Sequence, residues 1–297
     1  MIGFNLNKVK RHFLEVLGEV FSQREAEQLM RILLEDLFGI DRKTELMNPS
    51  LRITEEWEAI LSKAVNELLI GKPVQYVTGK AWFDGLLFEV DETVLIPRPE
   101  TEEMVQMMAV ELPVDKPFRI WDIGTGSGCI AIALAHRFSK AEVIAIDVSE
   151  CALKTASRNV FNNKVDVQLV CDDVLHPQSK LWQQPVDLVV SNPPYVRESE
   201  KENMECNVLD HEPAGALFVP DDDPLLYYRK ILSLAKPQLH PGGVVWFEIN
   251  EALGEEILLL ARDMGFTALI KEDFFGKPRY LKAFLETNPM FVNKLTT

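Results

Sequence analysis

The chain has 297 residues, of which 47% are hydrophobic and 26% are charged, and its formal net charge is -15 at pH 7. This composition is that of an ordinary globular protein, long enough for one large or two ordinary domains. The acidic balance argues against proteins that bind nucleic acid through a broad basic face.

The cysteines, histidines and apolar runs exclude several further classes. The four cysteines form no C-x-x-C pair and the five histidines complete no metal-ligand pattern, so we expect no metal site. The segment Met1–Lys8 lacks the basic start and apolar core of a signal peptide. No apolar run approaches the roughly 20 residues that span a bilayer. The sequence therefore predicts a soluble, cytoplasmic protein without membrane association.

Residues 1–73 have helical periodicity and no convincing strand, because apolar residues recur at intervals of three and four positions. Ser22 and Glu25 form a capping-box pattern at the start of one helix. Gly39 follows the apolar residues of that helix and indicates its end. Thr54 begins a further helix. We predict a helical bundle of four or five helices.

Residues 74–99 change to short aromatic and β-branched segments. Asp84-Gly85, a strong hairpin-turn signal, separates two of them. We predict that residues 74–99 form a β-hairpin that links two domains, and that a helix begins near Glu100.

From Phe118 onward, strand-like and helix-like segments alternate, which is typical of a parallel sheet covered by helices on both faces. The predicted strands are 118–123, 143–147, 166–171, 186–191, 243–249, 266–271 and 280–286. The predicted helices are 128–138, 149–162, 224–239 and 251–264. The last two strands have no helix between them and should form an antiparallel hairpin at the sheet edge. We predict an α/β domain over residues 100–287 with a Rossmann-like, seven-stranded, mostly parallel sheet, followed by a loosely held tail over 288–297.

A glycine-rich segment, Asp122-Ile-Gly-Thr-Gly-Ser-Gly128, directly follows the first of these strands. Its glycines open a helix, so we expect the loop amides and the helix N-terminus to face a ligand. The dinucleotide pattern G-x-G-x-x-G fails, because Cys129 or Ala131 stands where its last glycine should be. Such glycines alone would be explained equally well by tight packing between a strand and a helix.

Acidic residues end the next two predicted strands. Asp147 lies 23 residues beyond Gly124, close to the roughly 20 residues typical of an acid that binds a ribose hydroxyl. Asp172 and Asp173 end the third strand, where a carboxylate can accept a hydrogen bond from an adenine amino group. We favour Asp173 for that contact. The two acidic positions favour a nucleoside cofactor over simple tight packing.

A second motif, Asn192-Pro-Pro-Tyr195, follows the strand-like segment Val186–Ser191. Each proline fixes φ and removes an amide donor, which leaves a stiff loop that exposes carbonyls and the Asn192 side chain. Such acceptors can hold both hydrogens of an NH2 group and direct its lone pair toward a methyl donor, while Tyr195 covers the planar group. The two motifs together predict a methyltransferase that uses S-adenosylmethionine, alkylates nitrogen and needs no metal.

Further motifs accompany these two in a characteristic order. They are Gln75-Tyr-Val-Thr-Gly79, Leu95-Ile-Pro-Arg-Pro-Glu-Thr-Glu102, Glu212-Pro213, Phe247-Glu-Ile249, and Asp273 with Gly276 and Arg279. With them, essentially the whole chain resembles the HemK/PrmC family of protein-(glutamine-N5) methyltransferases. The resemblance implies a class I methyltransferase fold. It also implies that S-adenosylmethionine methylates the glutamine of a Gly-Gly-Gln segment in peptide chain release factors, leaving S-adenosylhomocysteine.

The resemblance also implies roles for individual residues. Those that would contact the cofactor are Gly124, Thr125, Gly126, Gly128, Asp147, Asp173 and Asn192. Those that would hold the substrate are Asn192, Pro193, Pro194 and Tyr195, with Asn192, Pro193 and Tyr195 as the catalytic set. Those that would border the cofactor pocket are Arg98, Pro99, Glu100 and Thr101.

Two other functions compete with this one. An N6-adenine methyltransferase shares the loop Asn192-Pro-Pro-Tyr195, here called the acceptor loop. Such an enzyme must flip a base and usually carries a basic surface. A cofactor-binding protein without catalysis would not need an intact Asn192 loop. We therefore expect release factors as protein partners recognised by residues 1–73, no direct nucleic-acid binding, and a monomer. Asp221–Asp223 is expected to form a solvated turn and helix cap.

Overall fold

The computed structural model describes residues 4–112, 117–204 and 206–285. This part of the chain divides into two compact units, of which the first runs to Lys80 and includes a short segment that ends at His211. The predicted tail over 288–297 lies outside the described residues. No helix within the described ranges is long and apolar enough to cross a membrane.

The first unit is mostly helical, as its periodicity predicts, but the short strands Phe4–Asn5 and Arg52–Ile53 pair antiparallel, so the expectation of no strand there is wrong. Ser22 and Thr54 each cap a helix by accepting a hydrogen bond from a backbone amide three residues later. Gly39 follows the end of the helix that Ser22 begins, at φ 67°, a conformation that glycine adopts without steric cost. The elements of this unit are β1 (Phe4–Asn5), α1 (Leu6–Leu17), α2 (Gln23–Phe38), α3 (Arg42–Met47), β2 (Arg52–Ile53), α4 (Glu55–Leu69), α5 (Val74–Thr78) and, later in the chain, α9 (Cys206–His211).

The linking hairpin is shorter than the sequence predicts. Its first five residues form the helix α5 instead, because Val74 and Val77, one helical turn apart, both pack against the core of the helical unit. The hairpin itself is confirmed over β3 (Lys80–Phe83) and β4 (Leu86–Glu89). Asp84 and Gly85 have φ angles of 52° and 74°, the two positive values that a type I′ hairpin turn requires.

The second unit contains the predicted seven-stranded sheet. Its strands are β5 (Phe118–Ile123), β6 (Ala141–Asp147), β7 (Gln168–Cys171), β8 (Val186–Ser191), β11 (Leu239–Glu248), β12 (Thr267–Glu272) and β13 (Pro278–Phe284). They lie in the order β12-β13-β11-β8-β5-β6-β7. The strands β12 and β13 pair antiparallel at the edge, which confirms the predicted closing hairpin. The short strands β9 (Val196–Arg197) and β10 (Phe218–Val219) form a separate parallel pair that the sequence does not predict.

The helices of this unit are α6 (Pro99–Glu111), α7 (Cys129–Arg137), α8 (Glu150–Asn163), α10 (Ala214–Leu217), α11 (Leu226–Ala235) and α12 (Gly254–Asp263). The prediction that Asp221–Asp223 caps a helix is wrong, because Leu225 is the residue that precedes α11. Asp221 instead accepts hydrogen bonds from the amide and hydroxyl of Ser199, and Asp223 pairs with Arg229. These carboxylates are satisfied by side chains and loops around them.

Apolar side chains cover both faces of the sheet. Successive residues of a strand point to opposite faces, so Ile120 belongs to one core cluster and Trp121 to the other. From β5 the parallel strands continue to β6 and β7 on one side, while β8 lies on the other side. The order of the strands therefore reverses between β5 and β8, the position at which open α/β sheets bind ligands.

Candidate active site

A cavity of about 320 Å³ lies at this reversal point, beyond the carboxyl ends of β5 to β8. Its size falls within the roughly 300–1,000 Å³ typical of small-molecule sites. Of the residues expected at the site, the cavity is lined by Arg98, Thr101, Gly124, Thr125, Gly126, Asp147, Asp173, Asn192, Pro193 and Pro194. Pro99, Glu100, Gly128 and Tyr195 are not among its lining residues.

The glycine loop shapes one wall of the cavity. The Gly124 and Thr125 amides both donate to the Ile146 carbonyl, at 2.8 and 3.0 Å, and the Gly126 amide donates to Asp147 Oδ2 at 2.9 Å. These three amides therefore do not face the cavity as free donors, contrary to the expectation from the sequence. Gly124 and Gly126 have φ angles of 72° and 54°, and a Cβ added to either would meet nothing within 4 Å. The loop contributes open space and a left-handed backbone.

Gly128 serves packing between helices. Its φ is 83°, and an added Cβ would lie 3.0 Å from Ile132 Cδ1 and 3.3 Å from Ala156 Cβ. A larger residue would strain the backbone and push α7 away from α8. The third glycine of the motif thus allows close approach of two helices behind the cavity wall.

Two carboxylates, the buried Asp122 and the half-buried Asp147, support the glycine loop. Asp122 Oδ2 accepts hydrogen bonds from the Thr125 hydroxyl at 2.6 Å and the Ala131 amide at 3.1 Å, while its buried Oδ1 has no partner among the residues that the structure describes. Burial raises the pKa of Asp122 to about 7. Burial also raises the pKa of Asp147, which additionally accepts from the Ser149 amide at 2.9 Å. Asp122 was not singled out from the sequence, although an acid directly before the glycines was a visible signal.

The structure distinguishes the two acids that follow β7. Asp172 accepts hydrogen bonds from the Ser179 amide at 2.7 Å and the Trp182 indole at 2.8 Å, besides two further amides. Burial alone would raise the pKa of Asp172. The hydrogen bonds outweigh this effect, and the pKa of Asp172 lies below its usual value. Asp173 accepts from the Leu175 amide and lies against His176. Both acids line the cavity, but Asp172 is held by several hydrogen bonds from its own loop, whereas the half-buried Asp173 makes fewer.

The acceptor loop is held by hydrogen bonds at both ends. The Ser191 hydroxyl donates to the Ile123 carbonyl at 2.6 Å, which ties the end of β8 to β5. The Asn192 Nδ2 donates to Thr101 Oγ1 at 3.1 Å. Within the described part of the chain, no hydrogen bond to Asn192 Oδ1 is formed, and that oxygen remains available as an acceptor.

A buried acid lies behind this loop. Glu248, at the end of β11, accepts from the Thr101 hydroxyl at 2.6 Å and from the Tyr195 hydroxyl at 3.1 Å. Burial raises the pKa of Glu248 and, together with the Glu248 charge, the pKa of Tyr195. The sequence indicates Glu248 only as part of a motif, since nothing local shows that it meets Thr101 and Tyr195. The hydroxyl of Tyr195 thus contacts Glu248 rather than a group in the cavity.

The chain is similar in sequence to proteins of known families. The family described as "Methyltransferase small domain" matches residues 101–213, and the "PrmC N-terminal domain" matches residues 11–79. A "Release factor glutamine methyltransferase" from Flavobacterium psychrophilum is 41% identical over 93% of this chain and 98% of its own length. The protein of the same name from Bacteroides thetaiotaomicron is 38% identical over 94% of this chain and 99% of its own. The chain belongs to the release factor glutamine methyltransferase family.

Family membership confirms the resemblance and the enzyme class that the sequence predicts. The fold is confirmed as well, since the crystal structure of a methyltransferase from Pyrococcus furiosus matches with a TM-score of 0.51. That match covers 75% of this chain and 98% of the other, at 21% identity. The cavity at the strand reversal is accordingly the candidate active site of a methyltransferase.

Proposed function

We propose that this protein transfers a methyl group from S-adenosylmethionine to the side-chain nitrogen N5 of the glutamine in the Gly-Gly-Gln segment of peptide chain release factors, which leaves S-adenosylhomocysteine and releases one proton of the amide nitrogen to water. One observation carries the proposal: Asn192 lies on the wall of the cavity formed by the glycine loop, with its side-chain oxygen available. The relatives named release factor glutamine methyltransferase, which match nearly the whole chain, support the choice of substrate.

The cavity residues fit S-adenosylmethionine. The open backbone at Gly124 and Gly126 leaves room for the ligand, and Asp147 can accept hydrogen bonds from ribose hydroxyls. Asp173 has a half-buried carboxylate at the cavity that can accept a hydrogen bond from an adenine amino group. When bound, S-adenosylmethionine supplies an activated methyl group on a positively charged sulfur.

The acceptor loop fits a primary amide. Asn192 Oδ1 and the Pro193 carbonyl can accept one hydrogen each from the glutamine NH2 group. Two such hydrogen bonds orient the amide plane and increase electron density on the nitrogen, which is a poor nucleophile in water. Catalysis by this loop consists of positioning and electrostatics, and fixed geometry of this kind supplies a large part of the rate enhancement in many enzymes.

The helical unit is assigned to recognition of the protein substrate. It contains no candidate catalytic cluster, and the mixed charges of residues 1–73 suit a protein surface better than a phosphate backbone. We expect its contacts to be remote from the reacting glutamine.

Methyl-labelled S-adenosylmethionine tests the proposed substrate. The full-length protein is incubated in separate reactions with intact release factor, with a release factor whose Gly-Gly-Gln glutamine is replaced by alanine, and with DNA or RNA. We expect label only in the intact release factor. Label in nucleic acid would favour the adenine methyltransferase instead, and equal label in the alanine variant would place the methyl group elsewhere.

A comparison of substrates tests the role of the helical unit. A short Gly-Gly-Gln peptide makes only the contacts near the cavity, whereas intact release factor can also make remote ones. Binding energy from remote contacts raises kcat/KM, so intact release factor should exceed the peptide by at least tenfold, or about 1.4 kcal/mol. Equal kcat/KM values would contradict remote recognition.

A further inference from the structure

Three residues far apart in the sequence form a continuous hydrogen-bonded chain behind the acceptor loop. Asn192 Nδ2 donates to Thr101 Oγ1 at 3.1 Å across 91 residues, and the Thr101 hydroxyl donates to Glu248 Oε2 at 2.6 Å across 147 residues. The other oxygen of Glu248 accepts from Tyr195, the last residue of the same loop. One carboxylate therefore anchors both ends of the Asn192-Pro-Pro-Tyr195 loop.

The chemistry of the carboxylate fixes the direction of these hydrogen bonds. The hydroxyls of Thr101 and Tyr195 are both placed to donate to oxygens of Glu248, and the ionised form of this carboxylate can only accept. A threonine hydroxyl has one hydrogen, and at Thr101 it is used on Glu248. Only lone pairs of Thr101 Oγ1 remain toward Asn192, which must therefore present its NH2 group to Thr101 and its oxygen to the other side.

We propose that Glu248 and Thr101 are positioning residues for methyl transfer, which hold the Asn192 carboxamide with its oxygen toward the substrate amide. This inference rests on the proposed function. It assigns the orientation of the Asn192 carboxamide to residues that do not touch the reacting atoms. An Asn192 side chain flipped by 180° would offer NH2 to the NH2 of the substrate, and two donors cannot hydrogen-bond to each other. The orientation of Asn192 therefore selects the productive pose.

The burial of the network supports this role. Thr101 and Glu248 are 2% and 1% exposed, and an ionised buried acid is unfavourable unless it is well hydrogen-bonded. Burial and the Glu100 charge raise the pKa of Glu248, whereas the hydrogen bonds from Thr101 and Tyr195 and the charge of Arg279 favour its ionised form. A glutamine of similar shape at position 248 would avoid the cost of burying a charge. Its NH2 group could donate to Thr101, however, so the direction of the hydrogen bonds between Asn192, Thr101 and residue 248 would no longer be fixed.

Four full-length variants test the proposal by single-turnover methylation of release factor and by calorimetry with S-adenosylmethionine. Thr101→Val keeps the shape but removes the hydroxyl, Thr101→Ser retains the hydroxyl, and Glu248→Gln removes the fixed direction. Thr155→Val is the matched control, because Thr155 is also a buried threonine bonded to a carboxylate, that of Asp91, and does not itself line the cavity.

We expect Thr101→Val and Glu248→Gln to lower the transfer rate by about tenfold or more while cofactor affinity changes less than about threefold, since a misaligned acceptor affects only the transfer step. Thr101→Ser should restore the rate to within about threefold of the parent, and Thr155→Val should leave it unchanged. A purely structural role would lower folded stability, cofactor affinity and rate together. Parental rates in folded Thr101→Val and Glu248→Gln would overturn the proposal.

A magnetic-resonance readout separates this inference from the proposed function. In protein labelled at threonine methyls and asparagine side-chain nitrogens, the parent should show a nuclear Overhauser effect between the Thr101 methyl and the Asn192 NH2. That signal should weaken in Glu248→Gln. If it weakens while the parent protein methylates no release factor, the orientation holds and the proposed function fails. An unchanged signal in Glu248→Gln would overturn the orientation itself.

Discussion

The cavity has two walls that are constructed differently. The half proposed to bind S-adenosylmethionine, called the cofactor half, consists of the glycine loop with Asp147 and Asp173, and each of these groups lies at or within two residues of the carboxyl end of a strand of the parallel sheet. The acceptor half consists of the Asn192-Pro-Pro-Tyr195 loop with Thr101 and Glu248, which come from three distant parts of the chain. Backbone geometry shapes the first half, whereas a side-chain network orients the second. Changes in the two halves should therefore affect different steps.

Removal of the Asn192 side chain should have the largest effect. Asn192→Ala deletes the acceptor for the substrate amide, so single-turnover transfer to release factor should fall about 100-fold or more. Affinity for S-adenosylmethionine should stay within about twofold, because the lost contact orients only the acceptor. Asn162→Ala is the control, since Asn162 is an exposed asparagine bonded to Glu89. A transfer rate within tenfold of the parent would remove Asn192 from the acceptor half.

Removal of the Asp147 side chain should affect the cofactor half alone and weaken cofactor binding. Asp147→Ala should weaken S-adenosylmethionine binding by about 1.5–3 kcal/mol, the usual range for hydrogen bonds to a charged group, or roughly 10- to 150-fold in Kd. Calorimetry measures this, with Asp166→Ala at an exposed position as control. If transfer at saturating cofactor also collapses, the two halves are not separable. An unchanged Kd in a folded variant would exclude Asp147 from the cofactor site.

The buried charge of Asp122 makes the stability of the cofactor half depend on pH. Burial raises the Asp122 pKa from 3.8 to about 7, so the folded state binds a proton more tightly than the unfolded state. The free energy of unfolding of the parent should therefore fall relative to Asp122→Asn as pH rises through this window, by about 1.4 kcal/mol per unit, and level off above pH 7. Urea denaturation of both proteins from pH 5 to 8 measures the difference. A constant difference would show that the folded Asp122 has an ordinary pKa.

Substitutions of the neighbouring acids Asp172 and Asp173 should have different effects, one on the stability of the fold and the other on cofactor binding. Asp172→Asn should lower the free energy of unfolding by about 1–3 kcal/mol, because the replacement disturbs hydrogen bonds from several buried donors. Asp173→Asn should leave stability nearly unchanged and weaken S-adenosylmethionine binding by about 1 kcal/mol. Each variant controls for the other. The reverse pattern would assign the adenine contact to Asp172.

Much of the fold and most of the cofactor half follow from local sequence patterns. A glycine turn follows one strand and an acid ends the next, with 23 residues between Gly124 and Asp147, so their spacing alone predicts where they meet. Local patterns fail where tertiary packing decides. Val74–Thr78 has strand-like residues but is a helix because Val74 and Val77 pack on the helical core.

The support of the acceptor half could not be predicted in this way. The hydrogen bond between Thr101 and Glu248 spans 147 residues, and neither local sequence indicates its partner. Thr101 reads as the first turn of a helix and Glu248 as one acid in an apolar strand. Only the sheet order, which places β11 next to β8, brings Glu248 behind the loop that begins at Asn192. The amides of the glycine loop were predicted wrongly for a similar reason, since their acceptors lie on β6.

The central claim is that the acceptor half presents a glutamine side chain to the methyl group. Tandem mass spectrometry of release factor, after incubation with the full-length protein and S-adenosylmethionine, locates the methylated atom directly. We predict one added methyl group on the side-chain nitrogen of the Gly-Gly-Gln glutamine, formed about 100-fold or more slowly when Asn192→Ala replaces the parent under single-turnover conditions. A methyl group on any other residue, or an unmodified release factor with an S-adenosylmethionine-bound parent enzyme, would contradict the account.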